Sequence, residues 1–405
     1  MSVFNSHLMD LKKEIMYLAV PISFLFFLAV LLPTNGLGST GIILVLIWLL
    51  WHEQELRNSW WKAIWPWLLV VLVYFVFMST YSFSKIVALR DGVEMIKGIA
   101  LSAVALYLLQ LSEHHLRRAV EYVVIVLMVA TISIVIFNLY KVGYLELINN
   151  HGFEFFVNRN SLAVGFSITA IFLFSLMVGE QSRWKTLLWS GCCMCVSLAA
   201  FLNGSRGAIV GMFAALTCMT LTALVRVGWR RIFRLDLWIF PFLIISVIVG
   251  WILYKNIILA TFFIHGDKGV DTGRFEIWKA VSERVVHAPW FGYGSHAMKF
   301  DPMLAAVRAE HAVSYPHNIY IGLVYASGVV GILFWLIWFI SFSFKIKNNF
   351  ERKNDLSYYL GIGLLTNILV HGLVDFDFYK FATITFLVFG VVMIIPRTTI
   401  NKEVL

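Results

Sequence analysis

Charge is what this sequence has least of. Only 14% of its 405 residues are Asp, Glu, Lys or Arg, too little to cover a water-soluble surface of this size. Cysteine is almost as scarce. Its four thiols, Cys192, Cys193, Cys195 and Cys218, all lie in apolar runs with no histidine nearby to complete a tetrahedral set, so they read as small buried hydrophobes and not as zinc ligands. The chain also lacks a Walker phosphate loop, an H-E-x-x-H helix and a G-x-S-x-G elbow. ATPase, zinc-protease and serine-hydrolase chemistries are thereby disfavoured. No basic tract or stripe stands out. The formal charge of +9 is spread through short loops and does not make a nucleic-acid footprint.

What the sequence has instead is apolar length. Hydrophobic residues make up 60% of it, with 34 Phe, 15 Trp and 15 Tyr suited to a bilayer and its interfaces. Read as runs of about 17–25 residues, the spans are 15–32, 36–51, 60–79, 95–111, 119–140, 161–179, 187–202, 207–225, 237–254, 318–344, 356–371 and 381–395. The first resembles a signal-peptide core but is followed by Pro33-Thr34-Asn35, without a small-residue cleavage pattern, and is kept as a span. The expectation is an all-α polytopic membrane protein of about twelve helices, a single membrane domain over 1–405. Alternate loops carry the basic residues, as at Lys12-Lys13, Arg117-Arg118, Arg230-Arg231 and Arg352-Lys353. The positive-inside rule then puts both termini in the cytoplasm and the long 255–316 loop on the outer side.

That loop has structure of its own, as long loops with a function often do. Thr272 is placed to cap a helix through Arg274, Trp278 and Val281 that stops at Pro289, and Asp301-Pro302 opens a second, through Arg308. Both read as short amphipathic helices roofing the bundle.

Polar residues gather on the same side. Asn203-Gly204-Ser205-Arg206-Gly207 is a tight turn whose backbone concavity suits an oxyanion, although an arginine there also serves as a snorkelling anchor. Arg274 sits in the first turn of its helix, where a guanidinium and the helix dipole both favour phosphate. The alternative is an ion pair with Glu276 or Glu283. His317, between Tyr315-Pro316 and Asn318 at a helix start, has the side chain whose proton affinity suits base catalysis near neutrality. Read alone it is as easily an interfacial or capping histidine, and His265, His287, His296 and His311 are rivals in the same loop. Asp375-Phe376-Asp377 is a D-x-D that can hold a divalent metal, or pair with Lys380 or the loop arginines, which is the preferred reading.

Three strings in order resemble the O-antigen ligase family. They are Ser205-Arg206-Gly207-Ala208; Gly273-Arg274-Phe275-Glu276-Ile277-Trp278 with His287-Ala288-Pro289-Trp290-Phe291-Gly292-Tyr293-Gly294; and His317-Asn318 followed by Gly328 and Gly331. The superfamily also holds O-antigen polymerases and protein O-oligosaccharyltransferases. The resemblance implies a GT-C-like, metal-independent, inverting glycosyltransferase that needs no cofactor. Its donor is a polysaccharide on undecaprenyl pyrophosphate and its acceptor a sugar hydroxyl of lipid A–core, at the periplasmic face of a Gram-negative inner membrane. The implied catalytic set is His317 as base with Arg206 and Arg274 on the pyrophosphate. Asn318, Tyr315, Trp278, Asn160, Arg159 and Arg90 are assigned to substrate binding, and no metal ligand is expected. The rivals are a polymerase or protein transferase of the superfamily and, from another class, a lipid-linked glycan flippase or transporter. The one-sided gathering of polar residues and the lack of paired broken spans disfavour the last.

Overall fold

The structure, a computed structural model, describes residues 54–142, 159–178, 180, 182–203, 205–227, 273–311, 313–352, 355–375, 378, 381–395 and 397–398. The spans expected at 15–32, 36–51 and 237–254 lie outside the described residues, as do His265 and Thr272.

Helices account for nearly all of the described chain. They are α1 (Gln54–Tyr81), α2 (Lys85–Ala100), α3 (Ser102–Gln110), α4 (Glu113–Val142), α5 (Arg159–Met177), α6 (Arg183–Leu202), α7 (Arg206–Val227), α8 (Arg274–Val285), α9 (Ala305–His311), α10 (Ile319–Asn349), α11 (Leu356–His371) and α12 (Phe381–Ile394). The exception is a pair of two-residue parallel strands, β1 (Glu351–Arg352) and β2 (Arg397–Thr398). Six helical segments among the described residues are long and apolar enough to cross a membrane, and α11 with parts of α5 and α12 are shorter apolar helices. The chain is a multi-pass membrane protein. One expected span differs: the run placed at 95–111 begins ten residues earlier and is two helices, α2 and α3, joined at Leu101.

Apolar residues face two ways, as lipid-embedded helices require. On α1, Trp60, Ile64, Val71, Phe75 and Met78 are buried, while Trp61, Trp65, Val73 and Val76 look outward. Helix α11 lies at the centre of the second half, packed against α5, α7 and α12. Its buried face carries Leu360, Leu364 and Ile368, then two polar residues, Asn367 and His371.

Helix α10 is broken at Gly328 (φ 57°, ψ −164°), a conformation that an L side chain avoids. Inside a membrane a break leaves amides and carbonyls that water cannot satisfy. Here the loop does so. The amides of Val329 and Val330 donate to the carbonyls of Pro289 (2.9 Å) and Trp290 (3.0 Å), while Tyr293 and Gly294 donate to those of Tyr325 (3.0 Å) and Ala326 (2.7 Å). The Pro289–Gly294 stretch is therefore a backbone splint across the break. Its contact with Gly328 is so close that an added Cβ would come within 2.5 Å of the Trp290 carbonyl.

Beside the splint, Ile277, Val281, Ala297, Met298, Leu304 and Tyr325 form a separate small core. Its polar anchor is Asp301, which accepts from Arg284 (2.9 Å), the Tyr325 hydroxyl (2.7 Å) and the Met303 amide (2.9 Å). As expected, Asp301 caps the turn opened by Pro302, which runs on into α9. Helix α8 is capped otherwise than expected. Its N-cap is Gly273 in the left-handed region (φ 74°), and the helix ends at Val285, with turns leading to Pro289.

Candidate active site

The polar residues meet where α10 begins and α11 ends. Helix α11 stops at His371 and the chain turns through Gly372–Val374, bringing the Asp375 amide back to the His371 carbonyl (3.0 Å). The start of α10 is pinned to that turn. Ile319 donates to the Gly372 carbonyl (2.8 Å), and the Asn318 amide nitrogen donates to the Leu373 carbonyl (2.7 Å). The Asn318 oxygen accepts from the amides of Tyr320 and Ile321 (2.9 and 3.0 Å), a helix N-cap. Both ends of Asn318 thus join two helices.

His317 is held immediately before that cap. Its backbone is in the left-handed region (φ 54°), which for histidine costs about 1 kcal/mol or more and persists only where neighbours enforce it. Nδ1 of the ring lies 2.9 Å from the buried Asp375 carboxylate. The Tyr315 ring covers the imidazole at 4.0 Å between centroids, and its hydroxyl donates to the same carboxylate oxygen (3.3 Å). With Nδ1–H directed at Asp375, Nε2 is the ring nitrogen able to take a proton. The other carboxylate oxygen of Asp375 is 3.9 Å from Nε2 of His371, which is fully buried.

The two arginine segments converge on His371. Gly207 of α7 packs on its ring so closely that a Cβ would come within 2.7 Å of Cδ2. A side chain at 207 has no room there, and this approach fixes the backbone at Arg206 beside the His371–Asp375 turn. The Arg206 side chain lies outside the described residues. Arg274, the first residue of α8, is half-buried and close enough to act electrostatically on His371. Neither expected partner holds it among the described residues: Glu276 faces Nε2 of His311 at 2.9 Å instead. Trp278, one turn along α8, donates from its indole N–H to the Pro316 carbonyl (2.8 Å).

The other expected residues fall elsewhere. Arg90 is exposed on α2, next to Asp91, which is 2.8 Å from His296. Arg159 and Asn160 open α5, and their side chains lie outside the described residues. Asp377 and Lys380 also lie outside them, so that pairing has no structural account, but Asp375 is engaged by His317. Among the remaining rival histidines, His287 is exposed. Glu276, Glu310 and His311 bring three possible metal-ligand atoms within 4.8 Å of one another at the start of α8. Two of the three are exposed acids, and such groups gather without a metal as a matter of course.

Two residues of this arrangement were not anticipated in these roles. In sequence Asp375 reads as an ion-pair acid or, less favourably, a metal ligand. His371 passed as the last residue of an apolar span. The spacing of the pair is the signal that was present: an imidazole and a carboxylate at i and i+4 on the end of a membrane helix are costly unless partnered, and so mark function.

In comparison with known proteins, residues 191–336 match the family described as O-antigen ligase. An O-antigen ligase of Pseudomonas aeruginosa is 30% identical over 148 residues, which is 36% of this chain and 32% of that relative. The chain thus covers about a third of the length of the curated relative it matches. The matched family segment contains Arg206, Arg274, His317 and the Gly328 break, while His371 and Asp375 lie beyond it.

Proposed function

We propose that this chain, whose residues 191–336 match the O-antigen ligase family, acts as a member of it and transfers a glycan from undecaprenyl pyrophosphate to a sugar hydroxyl of lipid A–core. The observation that carries the reading is His317 on Asp375 at 2.9 Å, beside two arginine segments that converge on His371.

The chemistry follows from those groups. A glycosyl pyrophosphate already has a good leaving group, so the barrier falls when charge developing on its phosphate oxygens is neutralised. Arg206 and Arg274 supply that charge without a metal or cofactor. The acceptor hydroxyl is a poor nucleophile, and Nε2 of His317 takes its proton as the oxygen bonds to the anomeric carbon. The bond from that carbon to the phosphate oxygen breaks on the opposite face, inverting the configuration and releasing undecaprenyl pyrophosphate. Asp375 orients the imidazole and stabilises its protonated form, the role a buried carboxylate has in other base-catalysed transfers.

In this reading the chain is GT-C-like with about twelve spans, and both termini are cytoplasmic. Residues 255–316 form a periplasmic subdomain over the site, in the inner membrane of a Gram-negative cell. A site at the edge of the bundle lets both lipid anchors stay in the bilayer while their head groups meet. The test is reconstitution with purified lipid A–core and an undecaprenyl-pyrophosphate glycan, without nucleotide or divalent metal. Glycan-capped lipopolysaccharide is the expected product, lost in Arg206→Ala and Arg274→Ala and unaffected by chelator. Elongated undecaprenyl-linked chains as the only product would identify a polymerase instead.

A further inference from the structure

We propose that Trp278 is a positioning residue that sets the orientation of His317 through the peptide plane between Pro316 and His317, and so links the Arg274 helix to the base. The inference rests on the proposed role of His317.

Trp278 donates its indole N–H to the Pro316 carbonyl at 2.8 Å. That carbonyl belongs to the planar unit joining Pro316 to His317. The only soft rotations at this unit are ψ of Pro316 and φ of His317. Because Asn318 and Ile319 are pinned on the far side, fixing the carbonyl direction restrains the φ of 54° that His317 adopts at a cost. Without the bond the plane can rotate toward the ordinary negative-φ region, swinging the imidazole away from Asp375 and from the Tyr315 ring. The groups around His317 hold its ring: Asp375 at Nδ1, Tyr315 on its face, and His371 and Arg274 beyond the carboxylate. Of the contacts described, Trp278 acts on its backbone from another element.

The same helix carries Arg274 one residue past its cap and Trp278 at i+4, on one face. A helix is stiff over one turn. Any displacement of Arg274 as it takes up a pyrophosphate is passed to the Pro316 carbonyl through four residues of backbone. The indole is half-buried against the small core of the loop, which fixes its aim. Its N–H is already spent on the carbonyl, which distinguishes this role from the substrate contact expected from sequence.

The test replaces the donor while keeping the ring, first with Trp278→Phe and then with the sulfur isostere benzothienylalanine at the same position. The isostere removes little but the N–H and decides the matter if Trp278→Phe folds poorly. In the reconstituted full-length protein, kcat is expected to fall about 10- to 100-fold, as for a misplacement of about 1 Å. KM for the undecaprenyl-pyrophosphate glycan should stay within about twofold. The limb of kcat against pH that reports the base should also be displaced. A raised KM with unchanged kcat would restore the substrate-contact role and overturn the proposal. So would unchanged kinetics, or a fall in kcat with an undisplaced pH limb. His317→Ala is run beside them. If it keeps full activity, the base reading fails; if it is inactive while the indole variants match wild type, that reading stands and the Trp278 proposal falls.

Discussion

Among the described residues, two histidine–aspartate pairs have almost the same build. His317 and His296 both have left-handed backbones (φ 54° and 49°). Each presents Nδ1 to a buried carboxylate, Asp375 at 2.9 Å and Asp91 at 2.8 Å. Their side chains are similarly exposed, 20% and 23%. Pair geometry cannot say which is the base. Their surroundings differ. His317 lies under Tyr315, at the cap of a membrane helix, with Arg274 and the Arg206 backbone converging behind its carboxylate. His296 opens a short helical turn of the loop and fastens it to α2. In the proposed reaction the first pair orients a proton acceptor toward an anion site, while the second joins two parts of the fold.

The sharpest way to break this comparison is to remove each imidazole. His317→Ala should lower kcat by about 10³-fold, within the range for loss of a general base, with little change in thermal stability. Replacing the carboxylates comes next. Asp375→Asn should keep the shape of the turn and lower kcat by about 10²-fold, because the ring loses both its orienting acceptor and the charge that stabilises its protonated form. Asp91→Asn should leave kcat within about threefold. His296→Ala, the smaller perturbation of turnover, should instead reduce stability by about 1–3 kcal/mol, since it strands a buried carboxylate. Thermal melts of the purified variants beside reconstituted turnover separate the two behaviours. If His296→Ala removes turnover as completely as His317→Ala, the distinction by surroundings is wrong.

How much of this was legible in the sequence follows from where each signal resides. Apolar run length reports spans directly, because lipid forces every backbone group to be satisfied within a helix. It did not report the junction at Leu101, where apolar residues continue from one helix into the next. Gly328 stood out as a motif, but its role was not legible. That role depends on carbonyls of Pro289 and Trp290 some forty residues away, and no local pattern encodes a distant backbone partner. Asp301-Pro302 could be read as a cap because capping is local. The His317–Asp375 pair spans 58 positions and joins the end of one helix to the start of another. The family strings single out His317 among the histidines, but only the packing of α10 against the turn after α11 pairs it with Asp375.

The smallest effect on turnover at neutral pH belongs to a third buried aspartate, and it tests whether the two pairs depend on a common scaffold. Burial alone would raise the proton affinity of Asp301. Hydrogen bonds from Arg284, Tyr325 and the Met303 amide outweigh it and hold the carboxyl below the ordinary aspartate value. A carboxyl depressed in the folded state contributes stability that is fully present above its unfolded pKa, about 4. That stability is lost as pH falls through the lower folded value. Asp301 anchors the core from which both Trp278 and His296 are presented, and its own amide bonds to the Ala297 carbonyl one residue beyond His296. Asp301→Asn should therefore flatten the acid limb of thermal stability below about pH 4 while leaving the neutral-pH ratio of His317→Ala to His296→Ala turnover unchanged. If the variant instead lowers turnover at neutral pH as strongly as Trp278→Phe, the loop core is tuned by Arg284 and Asp301 together, and the division between a catalytic and a fastening pair would have to be drawn through the loop itself.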